Sequence, residues 1–220
     1  MFKEHFAVHC LKYAESVLPE NMAFLGASKE KVIPISFAVY LIKTKGKNIL
    51  VDAGCDTMPG FVMKKYYSPA FVLRQAELSA DEITDVIITH AHHDHIAALS
   101  HFKNAVLHIT KEEYLDGKKY IPVNMPVNVF KEEFLIEEQI KVIKCSGHSV
   151  GSAIVEIKAN DGIHILAGDE CYTDLNIKNK ISTGTFYDKE KSIEFVEKYN
   201  NKKYRVHTCH DISLKTERII

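Results

Sequence analysis

The sequence carries no excess of either charge: 28 Lys and Arg stand against 29 Asp and Glu. Nothing in its overall balance draws it to nucleic acid or to an anionic membrane. Cysteine is sparse too. The five thiols (Cys10, Cys55, Cys145, Cys171 and Cys209) form no CxxC pair and leave an odd one over. That argues against a disulfide framework and for reduced thiols in a cytoplasmic protein. No apolar run approaches the roughly 20 residues that span a bilayer. The N-terminal residues alternate polar and apolar without a signal-peptide core. No repeat of fixed period and no low-complexity linker divides the chain.

What is present suits a self-sufficient core, with 46% hydrophobic and 26% charged residues over 220 positions, and one domain is expected over residues 1–220. Residues 35–42 and 49–51 read as strands joined at the hairpin signal Lys45-Gly46-Lys47-Asn48. Residues 58–78 read as a helical stretch interrupted at Pro69. Ser79-Ala80-Asp81-Glu82 reads as a helix start, followed by a buried strand over 85–89. Downstream, 97–102 reads as a helix, 105–109 as a strand and 111–116 as a short helix. Residues 134–144, 153–158 and 163–167 follow as strands, the last two joined through Asn160-Asp161-Gly162. Asp188 is an N-cap for a helix to Tyr199 that places Ile193, Val196 and Tyr199 on one face. Residues 205–209 form a last strand. This order predicts two sheets packed face to face with helices outside.

The chemistry concentrates at strand ends. His90-x-His92-x-Asp94-His95 follows the apolar strand Asp85-Val86-Ile87-Ile88-Thr89. On an extended segment His90 and His92 point the same way, because side chains alternate with period two. Asp94 and His95, on the turn beyond, can face a second point nearby. Imidazole suits zinc, iron or cobalt, and a carboxylate compensates charge. His148 in Cys145-Ser146-Gly147-His148-Ser149, Asp169 after Ile165-Leu166-Ala167-Gly168, and His210 before Asp211 extend the set, each beside a glycine or turn. His207 competes with His210, but the His210-Asp211 pair at a strand end favours His210. His93, His101, His108 and His164 are assigned to surface or strand faces, and Cys171 and Cys209 to small buried thiols.

These residues resemble the metallo-β-lactamase superfamily, whose HxHxDH motif is matched by His90, His92, Asp94 and His95. Its later ligands are matched by His148, Asp169 and His210. Within the superfamily the chain is most similar to the N-acyl-homoserine-lactone lactonases. Four features carry that likeness: residues 35–54, ending in Leu50-Val51-Asp52-Ala53-Gly54; the 145–151 loop; Asp169-Glu170-Cys171-Tyr172; and His210-Asp211. The chain departs from the lactonases at Ala97 and Ala98, where they have glycines, and at His93, where they commonly carry an aromatic pocket residue. Its 54–81 segment is also short.

The resemblance implies an α/β (α+β) fold, a four-layer αββα sandwich. It implies two divalent metal ions, zinc foremost, with iron, manganese or cobalt as alternatives. His90, His92 and His148 would hold one ion, Asp94, His95 and His210 the other, and Asp169 would bridge. Water activated between the ions would attack the carbonyl of an ester or lactone. Tyr172 would donate a hydrogen bond to the oxyanion, and Asp94 would pass the proton to the departing alkoxide. Asp52 would accept a proton from the far nitrogen of a ligand histidine. The expected partner is a small molecule with a hydrolysable carbonyl, with neither nucleic acid nor membrane involved. A phosphodiesterase, ribonuclease or thioesterase of the same fold is the alternative. A thioesterase of the glutathione type would want a helical extension, and only ten residues follow His210. A non-catalytic sensing module would be expected to have lost a ligand, and none of the seven is missing.

Overall fold

The computed structural model describes residues 6–220. β1 (Ala7–Pro19) and β2 (Val32–Lys43) form a long antiparallel pair with a bulge between Lys12 and Ala14. β2 turns back at residues 44–47 into β3 (Asn48–Val51). Pairing then becomes parallel, adding β4 (Asp85–Ile87), β5 (Val106–Thr110) and β6 (Val127–Phe130) in order. The second sheet runs β7 (Glu133–Glu137), β8 (Ile140–Lys144), β9 (Ala153–Ala159) and β10 (Gly162–Leu166), all antiparallel, with β11 (Tyr204–His207) parallel to β10. β12 (Glu217–Arg218) pairs with β1 at the edge of the seven-stranded first sheet.

Helices are short: α1 (Glu20–Ala23), α2 (Pro69–Val72), α3 (His93–Ile96), α4 (Lys111–Gly117), α5 (Asp174–Asn179) and α6 (Lys189–Tyr199). None among the described residues is long and apolar enough to cross a membrane.

Strand β2 shows why the chain forms layers. Its alternate residues Phe37, Val39 and Leu41 pack outward against Val72, Leu73, Ile96, Leu99 and Phe102. Ala38, Tyr40 and Ile42 face inward to Ile140, Val142, Val155, Ile157 and Leu166 of the other sheet. Both faces are buried, so the strand reads as a continuous apolar run rather than a strict alternation. On the far side of the second sheet, Ile154, Ile165 and Ala167 lie under Phe195, Val196 and Tyr199 of α6. The result is the αββα sandwich expected from the sequence.

Several elements differ from expectation. Residues 58–78 are mostly irregular, with helix confined to α2 and a 3-10 turn at Leu73–Ala76. Their backbone bonds outward to β1, since Glu15 and Lys64 exchange N–H···O bonds of 2.8 and 2.7 Å and Tyr67 N donates to Tyr13 O at 2.8 Å. Prolines at 59 and 69 suppress a continuous helix. The helix start at Ser79 yields only a 3-10 turn, Ala80–Glu82, closed by a capping box. Residues 97–102 are not one helix: α3 begins earlier, at His93, and a 3-10 turn covers Leu99–Phe102. Residues 134–144 form a hairpin, β7 and β8, rather than one strand. α6 is capped by Asp188 as expected, but Phe195 is buried more deeply than Ile193. The long β1 and the short β6 and β12 were not anticipated.

Pairing direction places the site. β3, β4 and β5 are parallel and end at one rim, and β10 and β11 end at a common rim with the start of β9.

Candidate metal centre

Each candidate ligand leaves the rim by a local device. After β4 the chain continues through Thr89 to His92, the N-cap of α3, so Asp94 and His95 lie in the first helical turn rather than on a free turn. His148 sits in the β8–β9 loop, which Ser146 reverses with a φ of 61°. Asp169 follows β10 in the 3-10 turn Gly168–Glu170. Gly168 has a φ of +52°, and a Cβ there would lie 2.9 Å from Thr89 Oγ1, so only glycine fits without strain. His210 follows β11.

All seven expected residues converge, around Asp169. Its Oδ2 lies 3.6 Å from His90 Nε2 and 3.5 Å from His148 Nε2. Its Oδ1 lies 3.0 Å from His95 Nε2 and 3.1 Å from His210 Nε2. His92 joins the first group, with Nδ1 3.0 Å from His90 Nε2 and 2.9 Å from His148 Nε2. Asp94 joins the second, with Oδ2 3.6 Å from His95 Nε2 and 3.5 Å from His210 Nε2. Two donor groups close enough to hold an ion, His90, His92 and His148 on one side and His95, His210 and Cys209 on the other, thus share the Asp169 carboxylate, with Asp94 beside the second.

The donor set fits divalent cations. His148 Nδ1 faces Thr185 O at 3.0 Å and His210 Nδ1 faces Ser36 O at 2.9 Å. A carbonyl only accepts, so each Nδ1 carries a proton and Nε2 is left facing the site. Thr89 Oγ1 donates to Asp52 Oδ2 at 2.9 Å and so accepts from His90 Nδ1 at 3.2 Å. That again turns Nε2 inward. A single proton on His92 Nδ1 can satisfy His90 or His148, not both. Buried His95 Nε2 has no hydrogen-bond partner although Asp169 Oδ1 is 3.0 Å away. Nitrogens aimed at common points instead of at one another are what a cation satisfies.

The two clusters differ in proton affinity. Burial lowers His148 to about 4, against the pull of Asp169. Burial also takes His90 well below the usual imidazole value, reinforced by nearby His95. At His95 burial works in the same direction but is outweighed by Asp169, Asp52 and Asp94, which raise it well above the usual value. At His210 burial is likewise outweighed by Asp169 and then Asp94. Burial alone would raise Asp169; His95, His210 and His90 hold it well below the carboxylate range.

Three further buried carboxylates support the ligands. Asp52 accepts from His95 Nδ1 at 2.8 Å and from Thr89 N at 2.8 Å, so one side chain orients His95 directly and His90 through Thr89. Its φ of 63° turns the chain just after β3. Glu170 Oε1 accepts from Gly147 N, His148 N and Ser152 Oγ at 3.1, 3.2 and 2.5 Å. Glu113 of α4 bonds to both ligand loops. Asp52 was expected; Thr89, Glu113 and Glu170 were not, since a Glu in a helix's first turn or beside a ligand looks solvated in sequence.

Among the described residues the remaining histidines stay outside the cluster. His108 is bonded to Asp85 and His164 to Asp161, both on strands but buried. His207 stacks on His164. His101 reaches Asp56. His93 bonds Tyr120 Oη at 3.0 Å and Thr57 O at 2.7 Å. Cys171 and Cys209 are buried as expected, though Cys209 Sγ lies 3.2 Å from Asp169 Oδ1 and stands among the second group of donors.

A family model described as the metallo-β-lactamase superfamily matches residues 38–206. The chain belongs to the metallo-β-lactamase superfamily. It is a metal-dependent hydrolase of that superfamily. A probable metallo-hydrolase of Methanocaldococcus jannaschii is 27% identical over 172 residues, spanning 78% of this chain and 75% of that one. An N-acyl homoserine lactonase of Rhizobium rhizogenes is 24% identical over 129 residues; the match covers 50% of this chain and 47% of the lactonase. Among solved structures, an N-acyl homoserine lactone hydrolase with N-hexanoyl-L-homoserine at its catalytic metal centre superposes with a TM-score of 0.83 at 18% identity, covering 97% of this chain and 98% of that one. The dizinc quorum-quenching lactonase AidC superposes at 0.76 with 17% identity, covering 97% and 90%. At these identities the superpositions establish the fold.

Two outcomes follow. Divalent metal binds imidazole only after its proton leaves, so the His95 and His210 cluster gains affinity as pH rises through their elevated values, whereas His90 and His148 are already neutral. Calorimetric metal titration at pH 6 and 8, in buffers of different ionisation enthalpy, should show one binding event that releases protons and weakens on acidification more than the other. Equal pH dependence of both events would refute the assignment. Asp52→Asn preserves the left-handed backbone, which Asn tolerates, but removes the acceptor for two protons. It should cost about 10–100-fold in metal affinity by chelator competition.

Proposed function

We propose that this hydrolase opens small lactones or esters that carry an uncharged apolar substituent, using two divalent ions, zinc foremost. His90, His92 and His148 would hold one ion, Asp94, His95 and His210 the other, with Asp169 between them. Bound there, the ions supply Lewis-acid polarisation and a water acidic enough to ionise near neutral pH.

The observation that carries the substrate reading is the pocket over the cluster, about 250 Å³. Leu18, Met22, Ile35, Phe37, Met58 and Phe61 line it together with His93, Thr185 and the site residues. Among the described residues no Lys or Arg lines it, which disfavours a phosphate diester and favours a neutral apolar group. Product complexes of the lactonase-fold relatives accord with a small-molecule substrate of this kind.

Tyr172 lines the same pocket, its ring edge-on to His148 and His210. Its hydroxyl is 2.7 Å from Thr185 Oγ1. Either hydroxyl can donate in this pair; when Thr185 gives its proton to Tyr172 rather than to Met22 O at 3.5 Å, the tyrosine proton is free for the carbonyl oxygen of the substrate. Burial first, and then Asp169, raise the phenol well above its usual value, so it remains a donor throughout. Asp94, beside His95 and His210 at the pocket floor, takes the proton of the attacking water and delivers it to the departing alkoxide.

Metal-loaded and metal-stripped protein should be assayed on lactones, esters, thioesters and phosphodiesters. Lactone or ester turnover that vanishes on chelation, returns with metal and falls about 10²-fold in kcat for Tyr172→Phe is the expected result. Turnover of phosphodiesters or thioesters alone would discard the substrate reading, and unchanged turnover by the Phe variant would discard the role of Tyr172.

A further inference from the structure

Glu113 lies in the first turn of α4, 2% exposed. Its two carboxylate oxygens are divided between the two loops that carry His90, His92 and His148. Oε2 accepts from Ala91 N at 2.7 Å, and Ala91 stands between His90 and His92. Oε1 accepts from Ser149 Oγ at 2.7 Å and Gly151 N at 2.8 Å, just beyond His148. Thr110, the N-cap of α4, adds a bond from Oγ1 to Gly151 O at 2.8 Å.

Among the described residues no Lys, Arg or His forms an ion pair with Glu113. The buried carboxylate therefore depends on two backbone amides and a hydroxyl to offset its lost hydration. Those three donors belong to segments about 60 residues apart in sequence, which are joined at their base by the backbone bond from Ala153 N to Thr89 O at 2.8 Å and, nearer the histidines, by Glu113. Glu170 does a different job. It bonds Gly147, His148 and Ser152 within a single loop and so fixes that loop's shape. Glu113 bonds across to Ala91 and so fixes where that loop stands relative to the other.

We propose that Glu113 is a positioning residue that sets the spacing of His148 from His90 and His92, and thereby the affinity of that one subsite for metal. This rests on the two-ion reading above. Glu113→Gln retains the volume but offers one acceptor and turns an amide NH₂ toward Ala91 N–H or Gly151 N–H, neither of which can accept.

The test is metal content by elemental analysis together with chelator competition, using zinc on the full chain, and the thermal midpoint of metal-free protein. Wild type should hold about two ions. Glu113→Gln should hold about one, with one site weakened about 10–100-fold, the other unchanged and the metal-free midpoint close to wild type. Ser149→Ala, which removes a single donor, should weaken the same site by less. Two ions at wild-type affinity in Glu113→Gln would overturn the proposal. So would equal weakening of both sites with a lowered metal-free midpoint, which is what a merely structural role predicts. Should the Gln variant not fold, unchanged affinity at both sites in Ser149→Ala overturns it. A wild type that binds no metal overturns the two-ion reading itself, and this inference with it.

Discussion

Asp169 presents one carboxylate oxygen to His90 and His148 and the other to His95 and His210, at separations between 3.0 and 3.6 Å. At His90, His92 and His148 three ring nitrogens face one another with too few protons to share, a costly arrangement that a cation would relieve. The surrounding structure maintains it. Carbonyls of Ser36 and Thr185, the hydroxyl of Thr89 and the carboxylate of Asp52 engage the outward nitrogens and leave the inward ones free. Around these lie Glu113 and Glu170, which hold the loops themselves.

Such precision requires rigid supports, and the sandwich provides them at its rim. Parallel β3, β4 and β5 deliver Asp52, the His90–His95 segment and the base of α4 side by side. β10 and β11 deliver Asp169 and His210 from the facing sheet. The inter-sheet layer fixes the distance between the two rims, so core packing and ligand geometry are one problem. Above the rim, the irregular 58–68 segment is bonded along β1 and contributes Met58 and Phe61 to the pocket wall.

Much of this was legible in residue order. HxHxDH after an apolar strand, and His148, Asp169 and His210 at later strand ends, marked the candidate donors, and the fold brings all seven together around Asp169. Strongly apolar or well-capped elements such as β2, β4, β10 and α6 also emerged, since local pattern and burial agree there. Reading failed where tertiary bonding overrides local preference. The 58–78 stretch reads as helical but gives the amides of Lys64 and Tyr67 to β1 and is broken by Pro59 and Pro69. β6 is half-exposed and short, and β1 alternates irregularly because a bulge shifts its register.

The sequence by itself determined the candidate donors, their order and the layered fold, because these follow from side-chain chemistry and hydrophobic period. Only the tertiary structure decided which residues hold those ligands in register. Thr89, Glu113 and Glu170 carry no local mark, since a carboxylate becomes an acceptor for particular amides only when distant loops close around it. The pocket likewise exists only after folding: Leu18, Ile35 and Phe61 are ordinary apolar residues until three separate segments bring them over one metal site.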